Sequence, residues 1–159
     1  MNITIIAVGK IKEKYLKEGL AEYIKRLSRF CNIKIVEISD EKAPEGISAA
    51  QQEGILLTEG EKIQKSIKDN TYIICLDVNG KRFTSEAFAK EIESCMLNGK
   101  SDITFIIGGS LGLHKSVKEK AGILLSMSDM TFPHQLTRLI LSEQLFRVFK
   151  IINGETYHK

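Results

Sequence analysis

Five short apolar runs, separated by segments with helical spacing, constrain the fold of this chain more than any other feature of its sequence. The runs cover residues 3–8, 33–38, 72–76, 103–107 and 123–126. Between the first two runs, a leucine or isoleucine returns every three or four residues from Leu16 to Leu27, as on one face of a helix. Nearly continuous apolar strands that alternate with helices are typical of a mainly parallel sheet with helices on both faces. We therefore predict a single α/β domain spanning residues 1–159.

Turn residues and helix-start signals predict the remaining boundaries. Asparagine-glycine pairs favour turns, serine favours the N-cap of a helix, and proline favours its first turn. These signals predict that the third strand ends at Leu76, that a turn follows at residues 79–80 and that Ser85 caps the next helix. They also predict a short helix over Ser116–Ala121. A last helix, opened by Pro133, is predicted from about His134 to Phe149, followed by a polar tail over residues 150–159.

The last predicted helix is apolar on two sides. Leu136, Leu139 and Ile140 lie on one side, and Leu141, Leu145 and Val148 lie roughly on another. A helix of this kind is either buried in its own domain or shared with a second chain. Because a short chain has little core to offer, we expect a homodimer interface here, with burial in its own core as the alternative.

Composition and charge argue against several classes of protein. The net charge of +3 permits a nucleic-acid partner without requiring one. The three cysteines are far apart and show no metal-binding spacing, so we expect buried free thiols and no metal site. No apolar run reaches the roughly 18 residues that a membrane helix needs, and the first residues do not resemble a secretion signal. We therefore expect a cytoplasmic protein with no membrane partner.

Three loops that follow predicted strands are candidates for a ligand site. They cover residues 76–80, 108–112 and 127–132. Ligands of open α/β sheets bind beyond the carboxyl ends of the strands, and glycine lets a backbone approach them closely. These loops offer mostly backbone groups, which suit an adenine edge and a ribose better than a triphosphate. Neither the P-loop pattern nor G-x-G-x-x-G is present, which argues against a nucleotide hydrolase or an ordinary dinucleotide enzyme.

The second of these loops also favours a different class of enzyme. Gly108-Gly109-Ser110-Leu111-Gly112 matches the G-x-S-x-G pattern of a nucleophile elbow, between a predicted strand and a helix. Asp129, followed by His134 or His158, gives the chain order of an α/β-hydrolase triad. A small serine hydrolase is therefore the alternative function. The chain is short for that fold, however, and a structural turn would give the same pattern.

Basic and aromatic residues near the carboxyl terminus point to an RNA partner, since such residues supply phosphate contacts and base stacking. This cluster consists of Arg138, Arg147, Lys150, Tyr157, His158 and Lys159. Surface arginines without a specific role and an unstructured tail are the alternatives. Among the histidines, His114 and His158 are expected to be exposed.

The chain resembles one known family along essentially its whole length. The residues that carry the resemblance are 5–10, 76–77, 105–109, 126–134, Arg138, 143–144, Arg147 and 157–159. The most specific part is the loop over residues 126–134, joined to the helix that bears Arg138. In these features the sequence is similar to the RlmH-type ribosomal large-subunit pseudouridine methyltransferases of the SPOUT superfamily.

The resemblance implies a fold, a cofactor and its binding residues. The implied fold is a homodimer of α/β subunits, each with a C-terminal trefoil knot, a feature that strand patterns do not reveal. The implied cofactor is S-adenosylmethionine, with no metal. The residues implied to bind it are Leu76, Gly108, Met127, Ser128, Asp129, Met130, Thr131 and Phe132. All of them fall in the three loops selected above, and Ser110 then needs no role as a nucleophile.

The resemblance also implies the substrate, which is N3 of a pseudouridine in 23S ribosomal RNA of the assembled ribosome. Arg138 is then expected to position the target nucleotide or its phosphate, while Tyr157 and His158 close over the base. His158 is the candidate for removing the N3 proton, although a base that is already deprotonated would react directly. Relatives often carry arginine where this chain ends with Lys159, which keeps the charge and loses the bidentate geometry.

Overall fold

The computed structural model describes residues 1–157, in which strands and helices alternate. In chain order the elements are β1 (Asn2–Val8), α1 (Lys14–Leu27), β2 (Asn32–Ile38), α2 (Ala49–Ser66), β3 (Tyr72–Arg82), α3 (Ser85–Leu97), β4 (Asp102–Ile107), α4 (Lys115–Lys118), β5 (Ile123–Ser126) and α5 (His134–Ile152). All five predicted strands are present. Within the described residues, none of the helices has the length and apolar character needed to cross a membrane.

The strands form one parallel sheet in the order β2-β1-β4-β3-β5. In the middle of the sheet, Ile5 of β1 is paired with Ile35 of β2 on one side and with Phe105 of β4 on the other. Because every strand runs in the same direction, all five carboxyl ends meet at one edge of the sheet. The predicted parallel α/β architecture is confirmed, and the trefoil knot stays a prediction.

Alternate residues of the inner strands face two separate cores, one on each side of the sheet. On β1, Ile5 belongs to a core that includes Leu141 of α5 and residues of α3. The next residue, Ile6, belongs to a second core that includes Ile63 of α2 and Val117 of α4. This alternation follows from the period of two in a strand. Helices therefore cover both faces of the sheet, as predicted.

The last helix is covered on two sides by its own chain. Leu141, Leu145 and Val148 are fully buried in the core beneath the sheet. Leu136 and Leu139 pack against the apolar face of α1. The second apolar side is thus partly covered within the subunit, which agrees in part with the alternative of burial in its own core. The homodimer stays a prediction.

The third strand is longer than predicted. It continues to Arg82, with a break in its pairing to β5 between Leu76 and Lys81. Within this break, a Cβ on Gly80 would lie 2.6 Å from backbone atoms of Leu124, so that only glycine fits. The expected end of the strand at Leu76 was therefore wrong, and residues 79–80 form an irregular part of the strand.

The predicted ends of the helices were less accurate than their positions. Thr84 caps α3 through its hydroxyl, whereas the proposed cap, Ser85, donates a hydrogen bond to a glutamine of α5. The short helix covers only Lys115–Lys118. The last helix continues beyond Phe149 because Ile151 and Ile152 pack against the larger core, so part of the predicted polar tail is helical.

The three cysteines are buried and free, as predicted. Burial raises the pKa of the Cys31 thiol to about 11 and that of Cys75 to about 12. Thiols of this kind stay protonated near neutral pH and are poor nucleophiles. Their position indicates a packing role.

Candidate functional site

A cleft of about 450 Å³ lies beyond the carboxyl ends of β3, β4 and β5. Residues 76–79, 107–113 and most of 127–132 line it, so the structure brings together the three loops that the sequence selected. Seven of the eight residues expected to bind a cofactor line this cleft, and Asp129 is the exception. Three further residues reach the cleft from α4 and α5 and were not predicted to bind the cofactor: Lys118, His134 and Thr137. His134 ends the segment 126–134 that carries the resemblance. No local motif marks Lys118 or Thr137, because only the fold brings their helices to the cleft.

Gly108 and Gly112 make one wall of the cleft through direct contact between their backbones. A Cβ on Gly108 would lie 2.6 Å from the carbonyl carbon of Gly112, which leaves no room for any side chain. Gly112 has φ of +86°, a conformation that favours glycine, and its amide donates to the carbonyl of Gly109 at 3.1 Å. This turn therefore presents backbone groups to the cleft at close range.

An ion pair lies at another wall of the cleft. The ammonium group of Lys118 is 3.0 Å from one carboxylate oxygen of Asp77. The other oxygen accepts a hydrogen bond from the amide of Asn79 at 2.9 Å. Burial opposes ionisation of Asp77, but the Asn79 amide and the Lys118 ammonium together hold its pKa below the usual value. The cleft thus contains a fixed carboxylate that can accept hydrogen bonds from a ligand.

The loop after β5 closes on itself through serine hydroxyls. Ser126 donates to the carbonyl of Ser128 at 3.1 Å, and the hydroxyl of Ser128 accepts from the amide of Met130 at 3.0 Å. Asp129 points away from the cleft, with 72% of its side chain exposed, and forms an ion pair with Arg82 at 2.7 Å. Asp129 therefore links this loop to Arg82 on β3 and does not line the cleft.

His134 begins α5 and lines the cleft beside the end of β1. Its Nε2 atom would lie 3.3 Å from a Cβ built on Gly9, so the ring packs against the loop that follows β1. Burial and the nearby Arg138 lower the pKa of His134, with a smaller opposing effect from Asp40. The imidazole is therefore mainly neutral near neutral pH and has a lone pair available to accept a proton.

Arg138 lies in the interior, which excludes the alternative that it is a surface charge without a specific role. Its side chain is 0% exposed, and one terminal nitrogen donates to Glu37 at 2.9 Å. The other donates to the carbonyls of Val8 and Gly9 at 2.8 and 2.7 Å. Its Nε is the only buried side-chain nitrogen or oxygen without a hydrogen-bond partner in residues 1–157. Every terminal contact is internal, so this arginine positions the end of β1 and does not present its charge to a nucleotide in this conformation.

Tyr157 lies far from the cleft of its own chain. Its ring packs edge-to-face on Phe146, with centroids 5.1 Å apart, and beneath the guanidinium of Arg147 at 4.7 Å. Burial and a hydrogen bond with Tyr23 raise its pKa. Phe146 follows His134 by twelve residues along α5, which corresponds to about 18 Å. His158 and Lys159, predicted to act beside Tyr157, lie outside the described residues.

Neither His114 nor His134 is hydrogen-bonded to Ser110, and His158, the other histidine proposed for a hydrolase triad, lies outside the described residues. His114 is 7% exposed and was wrongly expected at the surface. Its ring contacts Ser116 at 2.7 Å and Glu53 at 3.0 Å, so it fixes the start of α4 against α2. Ser110 is exposed, and among residues 1–157 its hydroxyl forms no hydrogen bond with a histidine. Within the described residues, the serine of the nucleophile-elbow pattern therefore has no histidine base, which the hydrolase alternative requires.

Comparison with known proteins shows the family to which the chain belongs. A family model described as "Predicted SPOUT methyltransferase" matches residues 1–158. A ribosomal RNA large subunit methyltransferase H from Acetivibrio thermocellus is 56% identical over 159 residues, and one from Leuconostoc mesenteroides is 55% identical over 159 residues. In both cases 100% of this chain and 100% of the relative are covered.

Among solved structures, the SpoU methyltransferase AviRb from Streptomyces viridochromogenes, in complex with AdoMet, has a TM-score of 0.47 and 9% identity to this chain. The likeness covers 97% of this chain and 61% of that chain, and it is too loose to bear on the site. The family match and the full-length relatives are decisive instead. The chain belongs to the SPOUT methyltransferase family, in its RlmH-type branch.

Proposed function

We propose that this chain is an S-adenosylmethionine-dependent methyltransferase that acts on N3 of a pseudouridine in 23S ribosomal RNA. The observation that carries the proposal is the cleft at the ends of β3, β4 and β5, lined by seven of the eight residues expected to bind the cofactor. Full-length likeness to proteins named ribosomal RNA large subunit methyltransferase H supports the choice of substrate. The site of action would be the cytoplasm, where ribosomes are available.

The residues of the cleft fit a nucleoside with an amino-acid tail. S-adenosylmethionine, when bound, supplies a methyl group that its sulfonium charge has already activated. Gly108 and Gly112 leave backbone groups open to an adenine edge or a ribose. Asp77 offers an ionised carboxylate for a hydroxyl or an ammonium group, and its partner Lys118 offers a positive charge for a carboxylate. These residues would bind and orient the donor.

Placement of the acceptor and removal of its proton are the remaining tasks of the protein. Tyr157 and His158 are proposed to close over the base, with His158 taking the N3 proton. Full turnover by His158→Ala on ribosomes would exclude that role. The buried Arg138 is better suited to hold the end of β1 than to contact the nucleotide itself.

A homodimer is proposed because the tail and the cleft of one subunit are far apart. Tyr157 packs on Phe146, about 18 Å along α5 from His134. A tail that closes over a base in the cleft would therefore come from a second subunit or from a large rearrangement. Light scattering should give a mass of twice 17.9 kDa. A mass of a single chain at micromolar concentration would contradict the dimer.

The assembled ribosome is the proposed substrate because the chain is only mildly basic, at +3. Small proteins that bind RNA through charge alone usually carry a larger positive excess. Surrounding ribosomal surfaces would supply the missing recognition. Methylation of protein-free ribosomal RNA should therefore be weak, and equal rates on naked RNA and ribosomes would contradict this part of the proposal.

Calorimetric titration with S-adenosylmethionine tests the cofactor site. Thr137→Trp should fill the cleft from α5 and abolish binding, because Thr137 lines it. Thr58→Trp is the matched control, since both threonines donate to the carbonyl four residues earlier and Thr58 lies exposed on α2. Binding by the parent and the control, with none by Thr137→Trp, supports the site. No binding by a folded parent would contradict it.

A further inference from the structure

The segment between β1 and α1 lies at the edge of the cleft. Gly9 packs against the ring of His134, which lines the cleft. The amide of Lys12 donates to the side chain of Gln135, the next residue of α5, at 3.0 Å. Residues 9–12 therefore lie along the first turn of α5, next to the part of the cleft that His134 lines.

This segment is held in place from beneath. The carboxylate of Glu37 accepts hydrogen bonds from the amide of Ile11 at 3.1 Å and from Arg138 at 2.9 Å. Arg138 also holds the carbonyl of Gly9, and the side chain of Ile11 is buried. Gly9 has φ of +84°, which allows the sharp change of direction after β1. The backbone is thus preorganised, while its lysine side chains remain in solvent.

The exposed side chains of this segment are mainly positive. Lys10, Lys12, Lys14 and Lys17 are all exposed within eight residues, and so is the ring of Tyr15. Within residues 1–157, neither Lys10 nor Lys12 forms an ion pair. The carboxylate beneath them, that of Glu37, is already paired with Arg138. Two lysines without partners thus lie on a fixed backbone next to the cleft.

We infer that Lys10 and Lys12 form the surface on which the phosphate backbone of the substrate RNA docks beside the cleft. Lysine ammonium groups bind phosphates as point charges, and an exposed tyrosine ring nearby suits an unpaired base. Contact with the RNA phosphate, which was expected of Arg138, is thus assigned to these lysines. Arg138 is a positioning residue in the interior, and the lysines that it helps to hold make the contact with RNA.

The inference rests on the proposed function, and binding to ribosomes tests it separately from catalysis. The test variant is Lys10→Gln/Lys12→Gln. The matched control is Lys65→Gln/Lys90→Gln, which removes two exposed lysines from α2 and α3 and changes the net charge equally. Affinity for ribosomes is measured without S-adenosylmethionine at salt concentrations between about 50 and 200 mM. Each phosphate contact that is lost lowers the magnitude of the slope of log affinity against log salt by about 0.7 to 0.9.

The expected result is a slope that is lower by about 1.4 to 1.8 and an affinity about tenfold weaker at low salt, for the test variant alone. Cofactor titration should be unchanged in both variants, and kcat at saturating ribosomes should be retained. Equal behaviour of the two variants would overturn the inference. Weaker binding with an unchanged salt slope would also overturn it, because the lysines would then not contact phosphates. Failure of the parent to bind the cofactor would contradict the proposed function. Affinity for ribosomes would still be measurable, so the inference about the lysines would still be tested.

Discussion

Gly108 lies against Gly112 so closely that a Cβ on the first would be 2.6 Å from the carbonyl carbon of the second. Even alanine at Gly108 must therefore displace the turn that forms one wall of the cleft. We expect Gly108→Ala to weaken the binding of S-adenosylmethionine by at least about tenfold, which corresponds to about 1.4 kcal/mol. Calorimetric titration measures this loss.

Gly54→Ala is the control for that substitution. Gly54 lies within α2, where a Cβ would meet nothing within 4 Å. Alanine favours a helix over glycine by about 0.5–1 kcal/mol, so this variant should bind the cofactor normally and melt slightly higher. Normal cofactor binding by Gly108→Ala would show that the glycine turn does not shape the site.

Arg138→Met should destabilise the fold by about 3 kcal/mol, since buried acceptors left without a donor cost about 1–3 kcal/mol each. The carbonyls of Val8 and Gly9 would lose their partner, and Glu37 would lose its counter-ion. Chemical denaturation measures the effect. Arg82→Met removes an ion pair that is exposed on both sides and should change stability by less than about 1 kcal/mol. Equal effects of the two substitutions would contradict the buried role of Arg138.

His134 should make the stability of the fold depend on pH. Burial and Arg138 lower its pKa in the folded state, while the unfolded chain titrates near the usual value of about 6.5. The unfolded state therefore binds more protons below that pH, so stability is full above about 6.5 and is lost as the pH falls. Thermal unfolding of His134→Gln should show less loss between about pH 7 and 5 than the parent. A constant difference between parent and variant across that range would contradict the lowered pKa.

Ser110→Ala should retain methyl transfer. Ser110 is exposed on the glycine turn, and the nearby His114 is engaged by Ser116 and Glu53. A fluorophosphonate probe should accordingly fail to label the parent, as judged by mass spectrometry. Stoichiometric labelling that Ser110→Ala abolishes would instead restore the serine hydrolase alternative.

The sheet and the location of the cleft were predictable from the sequence because both depend on local patterns. The apolar runs fix the strands, and parallel strands bring their carboxyl ends to one edge. The loops at residues 76–80, 108–112 and 127–132 could thus be selected before the fold was known. Boundaries were less predictable where long-range packing decides them, as where Ile151 and Ile152 extend α5.

The interior position of Arg138 was not predictable, because its partner Glu37 lies 101 residues earlier in the chain. An arginine between apolar residues of a helix looks the same in sequence whether it faces solvent or a carboxylate. The contribution of Thr137 to the cleft was missed because only the fold brings α5 to the cleft. The resemblance to a family identified Arg138 as important, whereas its neighbours indicate a positioning role.

Methylation of ribosomes tests the central claim most directly. Ribosomes from cells that lack the endogenous activity are incubated with the purified protein and isotope-labelled S-adenosylmethionine. The large-subunit ribosomal RNA is then recovered, and its nucleosides are analysed by mass spectrometry. We predict a single labelled product, a pseudouridine methylated at N3, which Thr137→Trp fails to form and Thr58→Trp forms normally. Label on another nucleoside, or no label from a folded protein that binds the cofactor, would contradict the proposed function.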